Sequence, residues 1–343
     1  MKKIKQRVFG LDFSRAIATI LIVMTHFNAR YMLSGNADNL KKMIVTGTTF
    51  NIYIGALGVS VFLIISGSAL MITYEKNFEL RSFYKKRFIS IYPMFWIAFV
   101  VAFFHQFYIY RGINQEIPKL NIILSIIGFD GYFSNAGIPT FYILGEWFLG
   151  FILIIYIIFP VLRKGVMDYP IITALLTLLL YGVTLKFYAL SFPRNMFLFT
   201  RLPEVIFGMY FQKYIKRVNH IMASVALGIL IANTLVAPGI ASDIQTTYVG
   251  ISAFILLFYM GEFFQKCNLV KKITNVLCKY SYSIFLVHHY IIAYIMGKFD
   301  LNSITVLESY ILFILICCLI AIGAKLLYES NKYILNTIKN SNL

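Results

Sequence analysis

Long apolar stretches with few charged side chains recur along almost the whole of this 343-residue chain. Each is close to the ~20 residues that an α-helix needs to cross a bilayer. Only 13% of the residues are charged and the mean hydropathy is +0.77, whereas a water-soluble domain needs a charged exterior. The solvent for most of the surface is therefore predicted to be lipid, and the fold class all-α.

The apolar stretches predict a bundle of about ten transmembrane helices. We place them near residues 9–32, 47–74, 84–108, 139–162, 170–188, 197–215, 219–237, 244–265, 281–298 and 304–329. The segment 119–133 is apolar but too short to span, so we expect it to be interfacial or re-entrant. We find no internal duplication and no separate soluble domain, which predicts one membrane domain over residues 1–343, with its core at about 9–329.

The net charge of +17 raises the question of nucleic acid, but the Lys and Arg residues sit in short clusters between apolar runs. More than twice as many lie in the loops on one predicted side of the membrane as on the other, which predicts cytoplasmic N- and C-termini. A nucleic-acid partner is not expected. A cleaved signal peptide is not expected either, because Arg15 and His26 interrupt the first apolar run.

Ionisable residues inside predicted spans are candidates for function, because a charge in hydrocarbon costs at least ~2.5 kcal/mol. They are Asp12, Arg15 and His26 in the first span, Glu146 in the fourth, Arg201 and Glu204 in the sixth, and His288 and His289 in the ninth.

Arg15 and His26 are eleven residues apart, so on a helix they share one face and are separated by roughly 16 Å along the axis. This spacing indicates a polar channel, with His26 able to act as a general base and Arg15 suited to a phosphate or a developing anion. The alternative is that Arg15 reaches the headgroups and His26 makes one interhelical hydrogen bond.

The four cysteines give neither a metal site nor a disulfide framework. Cys317 and Cys318 are adjacent, and Cys267 and Cys278 are too far apart for a CxxC pair. We interpret all four as structural, and we expect no metal ion and no bound cofactor.

The segment KNFELRSFYKKRFISIYP, between the second and third spans, carries five basic residues with aromatic residues between them. Such a loop is commonly an anchor at anionic lipid. It also fits an anionic nucleotide such as coenzyme A, with Lys86 and Arg87 on phosphates.

These elements together resemble the integral membrane acyltransferase 3 family, whose members O-acylate bacterial glycans. The first span, LDFSRAIATILIVMTH, resembles the family's opening with its spaced Arg and His, here Arg15 and His26. GVSVFLIISGSAL resembles the next element and places its Ser-Gly at Ser66 and Gly67. FYKKRFISIYP resembles a basic stretch thought to face acyl-CoA, although Ser90 replaces its third basic residue.

Three later elements extend the resemblance nearly to the end of the chain. WFLGFILIIYIIFP is similar to the family's fourth-span element around Trp147; some branches have a Glu five residues later, where this chain has Ile152, and Glu146 lies directly before the Trp. RLPEVIFGMYF matches the pattern that contains Arg201 and Glu204, and SYSIFLVHH places the family's His at His288. Six ordered elements are far more specific than any one of them.

The resemblance implies acyl-CoA, most simply acetyl-CoA, as donor and a glycan or lipid-linked glycan as acceptor, in the cytoplasmic membrane of a bacterium. It implies acyl-CoA contacts at Lys86, Arg87, Arg15, Ser66 and Gly67. It also implies an acceptor cavity lined by Glu146, Trp147, Arg201, Glu204 and His288. As a protein partner, the resemblance implies machinery for surface-polysaccharide synthesis.

Two other classes of protein remain open from sequence. A polysaccharide exporter or flippase fits the composition, although we find no paired halves or interrupted helices of the kind inverted-repeat carriers show. A signalling receptor is the third class, but no sensory domain is recognised. For Arg201 and Glu204, an i, i+3 ion pair that only neutralises two buried charges is the alternative to acceptor binding.

Overall fold

The computed structural model describes residues 8–141 and 144–341 and is 79% helical, which confirms the all-α class. The two short strands, β1 (Thr48–Thr49) and β2 (Ile52–Tyr53), form one antiparallel pair. The α-helices are α1 (Phe9–Met32), α2 (Ile54–Tyr74), α3 (Leu80–Tyr110), α4 (Ile122–Ile126), α5 (Asp130–Ser134), α6 (Glu146–Asp168), α7 (Pro170–Phe187), α8 (Leu198–Tyr210), α9 (His220–Val236), α10 (Ser242–Phe264), α11 (Asn268–Met296) and α12 (Val306–Ser341).

Seven of the described helices are long and apolar enough to cross a membrane, namely α1, α2, α3, α6, α7, α10 and α12. The chain is therefore a multi-pass membrane protein. The helix α9 is apolar but only 17 residues long. The number of ten spans and the cytoplasmic termini stay predictions, and the basic residues Lys2, Lys3, Lys5 and Arg7 lie outside the described residues.

Two predicted helix starts were wrong because backbone turns precede the helices. The second span begins at Ile54 rather than 47, since Phe50 and Asn51 adopt positive φ angles of 50° and 57° in the turn that joins β1 to β2. The fourth begins at Glu146 rather than 139, directly after Gly145, whose φ of 93° is left-handed.

Other helices extend past their predicted limits, because hydropathy marks only the apolar part of a helix. The helix α3 begins at Leu80 rather than 84, so its basic residues lie on helical turns and not in a loop. The helix α11 begins at Asn268 rather than 281, and α12 continues to Ser341 rather than 329. Lys and Arg are good helix formers, so these basic extensions stay helical.

The segment predicted to be too short to span is confirmed as short. It forms a 3-10 turn at Lys119–Asn121 followed by α4 and α5, which have five residues each. Its interfacial or re-entrant position stays a prediction.

By backbone contacts the chain divides into two compact units, while the single membrane domain stays a prediction. The first unit contains the residues up to Thr25, Val45–Glu75 and Arg201–Ser281. Its core includes Phe211 and Phe254, which are fully buried and whose ring centroids are 5.0 Å apart.

Glycines bring helices of the first unit into close contact. A Cβ atom at Gly67 on α2 would collide with the Val205 carbonyl oxygen on α8, and one at Gly208 on α8 would collide with the Ile64 carbonyl on α2. The Ser68 hydroxyl donates a hydrogen bond of 2.8 Å to the Gly208 carbonyl. These two helices therefore pack backbone to backbone.

The second unit contains His26–Ile44, Lys76–Thr200 and the chain from Tyr282 onward. Its core is formed mainly by α3 and α6, with Phe95 and Leu149 among the buried residues. Polar bonds fix the end of α1: the Tyr31 hydroxyl donates to Ser309 Oγ at 2.9 Å, and Ser309 donates to the Lys42 carbonyl at 2.7 Å. These two hydrogen bonds fix the C-terminal end of α1, the part of the helix that carries His26.

Candidate functional site

Four ionisable side chains from three helices meet within the second unit. They are His26 on α1, Glu146 at the first residue of α6, and His288 and His289 on α11. The ring centroid of His26 lies 4.8 Å from that of His288 and 5.0 Å from that of His289. We call these four residues the histidine cluster.

Glu146 and His289 form the closest contact of the histidine cluster. His289 Nδ1 lies 2.5 Å from Glu146 Oε1. One ligand atom each from His26, Glu146 and His289 lies within 4.8 Å of the other two. The 2.5 Å contact lets Glu146 and His289 share a proton, and the two imidazoles with the carboxylate could also hold a metal ion.

The protonation of His288 follows from its backbone partners. Its Nδ1 lies 2.8 Å from the Phe285 carbonyl oxygen and 3.1 Å from that of Ile284. Because carbonyl oxygens only accept, Nδ1 must carry the hydrogen, and Nε2 has a lone pair in the neutral ring. That Nε2 is buried and has no hydrogen-bond partner among the described residues, so it can accept a proton from a hydroxyl.

The backbone at Glu146 is strained and held by close packing. Its φ is 40°, a left-handed conformation that costs a non-glycine residue about 1–3 kcal/mol. A Cβ atom at Gly131 on α5 would lie 2.5 Å from the Glu146 carbonyl carbon, so only a glycine fits there. The helix α5 thus supports the turn that presents the Glu146 carboxylate.

Arg30 lies beside the histidine cluster but is not among the site residues that the sequence predicted. Its charge is close enough to His289 for the two groups to interact, and its Nε is buried without a hydrogen-bond partner among the described residues. The available signal was its position four residues after His26, which puts both on one face of α1. Arg30 can stabilise an anion formed at the cluster.

The other candidate residues of α1 and α8 lie in the first unit. Arg15 forms an ion pair with Asp12 at 3.7 Å, and 29% of its side chain is exposed. Arg201 and Glu204 form a 3.1 Å ion pair with side-chain exposures of 4% and 0%. The predicted i, i+3 pair is therefore present.

The predicted acyl-CoA residues of α2 and α3 have different environments. Lys86 is exposed, whereas the Arg87 guanidinium lies 5.5 Å from the Tyr156 ring centroid. Ser66 donates to the Phe62 carbonyl at 2.8 Å. Gly67 lies in the close contact with α8 described above, so helix packing alone requires a glycine there.

Trp147, the next candidate, is half-buried on the first turn of α6, and its ring centroid is 6.0 Å from that of Phe151. It follows Glu146 directly, so the strained turn also orients the Trp147 side chain.

The fold and the histidine cluster define a helical membrane protein with a buried group suited to proton transfer. Residues 8–329 match the family model of the acyltransferase 3 domain, described as an acyltransferase domain. The chain belongs to this family, as its motifs predict, and is a membrane acyltransferase. Neither a comparison with curated proteins nor one with solved structures gave a match.

Proposed function

We propose that this protein transfers an acyl group, most simply acetyl, from acyl-CoA to a hydroxyl of a surface polysaccharide or its lipid-linked precursor. The observation that carries the proposal is the proximity of His26 to Glu146, His288 and His289 inside the second unit. Ionisable side chains inside a membrane protein cost free energy to bury. A cluster of imidazoles and a carboxylate is therefore expected where function requires it.

In this proposal His26 is the general base. Its imidazole takes the proton of the acceptor hydroxyl while the hydroxyl oxygen attacks the thioester carbonyl. The C–S bond then breaks, and the protonated His26 gives that proton to the leaving sulfur, so coenzyme A departs as the thiol. The positive charge formed on His26 is stabilised by the Glu146 carboxylate, whose oxygen lies within 4.8 Å of a His26 ring nitrogen. An acyl-histidine intermediate is the alternative route.

The other members of the cluster position His26 and its partners. The bond from His289 to Glu146 holds the carboxylate, while His288, fixed by its backbone bonds, packs against the His26 ring. Arg30 adds a cation that can stabilise the oxyanion of the tetrahedral intermediate.

For the donor, we assign the acyl-CoA contacts to Arg15, Lys86 and Arg87, with Ser66 and Gly67 in the same role as the family resemblance implies. Arg15 is partly exposed and Lys86 is exposed, so both can meet a phosphate. The Arg87 guanidinium lies 5.5 Å from the Tyr156 ring centroid, and a guanidinium that stacks on an aromatic ring is also a group that binds phosphate.

For the acceptor, Glu146, Trp147 and His288 are proposed to line the cavity in which the hydroxyl binds. Arg201 and Glu204 were predicted to share that role. Their burial supports the alternative in which the two charges neutralise each other. We also propose that the protein lies in the cytoplasmic membrane of a bacterium and works with the machinery for surface-polysaccharide synthesis.

The test is incorporation of labelled acetyl from acetyl-CoA into surface polysaccharide, with membranes that contain this protein and matched membranes that do not. Labelled glycan only in the first supports the proposal, and labelled succinyl-CoA in a parallel reaction tests the acyl group. Glycan that crosses the membrane without acylation by either donor would contradict it and support the exporter. Activity that is lost on dialysis against EDTA and restored by zinc would replace the proton-transfer mechanism by a metal-assisted one.

A further inference from the structure

An apolar groove of about 530 Å³ lies between α3, α11 and α12 in the second unit. Small residues leave this space open: Ala98 and Ala102 on α3, and Gly323 on α12. Its other walls include Ile291 and Leu326. Because α3 and α12 are both long and apolar enough to span the membrane, we expect the groove to face the hydrocarbon of the bilayer.

The shape of the groove suits an extended hydrocarbon chain. Its wall on α3 runs from Ile97 to His105, which is eight residues or roughly 12 Å along the helix. His105 Nδ1 lies 2.6 Å from the Tyr290 hydroxyl, so these two polar groups satisfy each other. An apolar chain can therefore lie along the groove without leaving a buried polar group unpaired.

A second pocket of about 300 Å³, with more polar side chains in its lining, neighbours the groove; we call it the polar pocket. Both are lined by Tyr290 and Tyr294, and the second pocket is also lined by Gln106, Lys298 and His289. Tyr side chains offer an apolar ring face with a hydroxyl, and the Gln amide both donates and accepts. A sugar ring, which combines C–H faces with hydroxyls, matches this chemistry.

The apolar groove and the polar pocket share Tyr290 and Tyr294 in their linings, so they are neighbours, as the chain and the sugar of one glycolipid would require. We propose that the acceptor is a sugar-headed lipid, with its hydrocarbon chain in the groove and its sugar in the polar pocket beside His289. This inference rests on the proposed function, in which either a polysaccharide or a lipid-linked precursor could accept the acyl group, and it selects the lipid-linked form. His289 would then present the sugar hydroxyl to the histidine cluster.

Photolabelling tests this proposal without acyl-CoA. The probe is a hexadecyl glucoside with a diazirine in its chain, and the protein is reconstituted in phospholipid nanodiscs. We expect adducts on the peptides of α3, α11 and α12 that line the groove, and competition by unlabelled hexadecyl glucoside. Adducts confined to lipid-exposed helices such as α7, or equal labelling and competition with a diazirine hexadecanol that lacks the sugar, would overturn the proposal.

A substitution that fills the groove sharpens the test. A Cβ atom at Gly323 would lie 3.3 Å from Ile291 Cδ1, so Gly323→Leu places its side chain against the groove wall. Labelling should fall roughly tenfold, the loss expected when about two methylene groups no longer reach apolar surface. The matched control is Gly182→Leu on α7, where an added Cβ meets open space.

A second variant covers the case in which Gly323→Leu fails to fold. Val101 lines the groove but is 65% exposed, so Val101→Trp narrows the groove with little risk to the core. Unchanged labelling in a folded Gly323→Leu or Val101→Trp protein would contradict the proposal. Because labelling does not require His26, a protein that binds the probe but transfers no acetyl would leave the glycolipid-binding site standing, while the proposed function and the role of the lipid as acceptor would fail.

Discussion

Two buried groups of charged or ionisable residues, one in each unit, differ in how many helices contribute side chains to them. Arg201 and Glu204 form an ion pair within α8, the helix that packs against α2 through glycines. The histidine cluster combines side chains from three helices, contains a buried Nε2 without a described partner, and borders a pocket at His289. Both groups are buried and both contain polar atoms without a hydrogen-bond partner among the described residues, so the meeting of three helices and the pocket at His289 mark the histidine cluster as the reactive group.

The strongest test of this comparison within the histidine cluster is Glu146→Gln. The amide has the size of the carboxylate but lacks the negative charge that stabilises protonated His26, so acyl transfer should fall about 10³-fold, or about 4 kcal/mol. Turnover of labelled acetyl-CoA, normalised to folded protein by size-exclusion chromatography, measures this. Near-native turnover would remove Glu146 from the mechanism.

A substitution in the ion pair of Arg201 and Glu204 should have the opposite effect. It should lower the stability of the protein and leave the turnover of the folded protein unchanged. Arg201→Met leaves the Glu204 charge buried and unpaired, which should cost about 3 kcal/mol of stability. Thermal unfolding in detergent measures this loss. The control is Arg201→Met/Glu204→Gln, which removes both charges and should recover most of the stability and retain turnover. If Arg201→Met kept native stability but lost turnover, the pair would belong to the acceptor site and the comparison would fail.

Asp130 provides a third buried ionisable group, outside the candidate spans, for which pH decides the outcome. Burial raises the pKa of this carboxyl to about 6. The folded protein therefore holds the proton more tightly than the unfolded chain, and stability falls as pH rises from about 4 through about 6.

The matched variant Asp130→Asn removes this titration. At pH 8 it should exceed the native protein in stability by about 2–3 kcal/mol, and at pH 4 the two should be equal. Thermal unfolding at both values compares them. A difference of the same size at both pH values would mean that the carboxyl does not titrate between them.

The smallest predicted effect concerns the support of Glu146. Gly131→Ala would push a methyl group against the Glu146 backbone, displace the carboxylate and lower turnover about tenfold, or about 1.4 kcal/mol. The control Gly137→Ala, at a glycine with open space around it, tests whether any substitution in this segment has the same effect. Since Gly137 has a φ of 76°, only stability should fall in that control. Equal turnover losses would contradict a specific role for Gly131.

The helical class and most of the helices could be predicted, because apolar runs long enough to cross a bilayer are visible in the amino-acid sequence. The prediction failed at Ile54 and Glu146, where turns with positive φ precede the helices, and at Asn268, where basic turns extend one. His26, Glu146, His288 and His289 were each predicted as candidates. Their convergence was not predictable from spacing, because it depends on how α1, α6 and α11 pack.

The family motifs predicted several residues of the histidine cluster, but a residue's presence in a motif does not by itself show what that residue does. Gly67 matches a family motif, yet its environment is a contact between α2 and α8. Arg30 lies outside the quoted motifs but beside His289. A motif residue can therefore serve packing, while a residue outside every motif can serve the site.

The most direct test of the central claim is acetyl transfer from labelled acetyl-CoA by the His26→Ala protein, compared with the native protein at equal amounts in membranes. The account predicts that label in the glycan is abolished, while expression and thermal stability stay close to native. Substantial incorporation by a folded His26→Ala protein would show that His26 is not the base and that the histidine cluster is not the reaction centre.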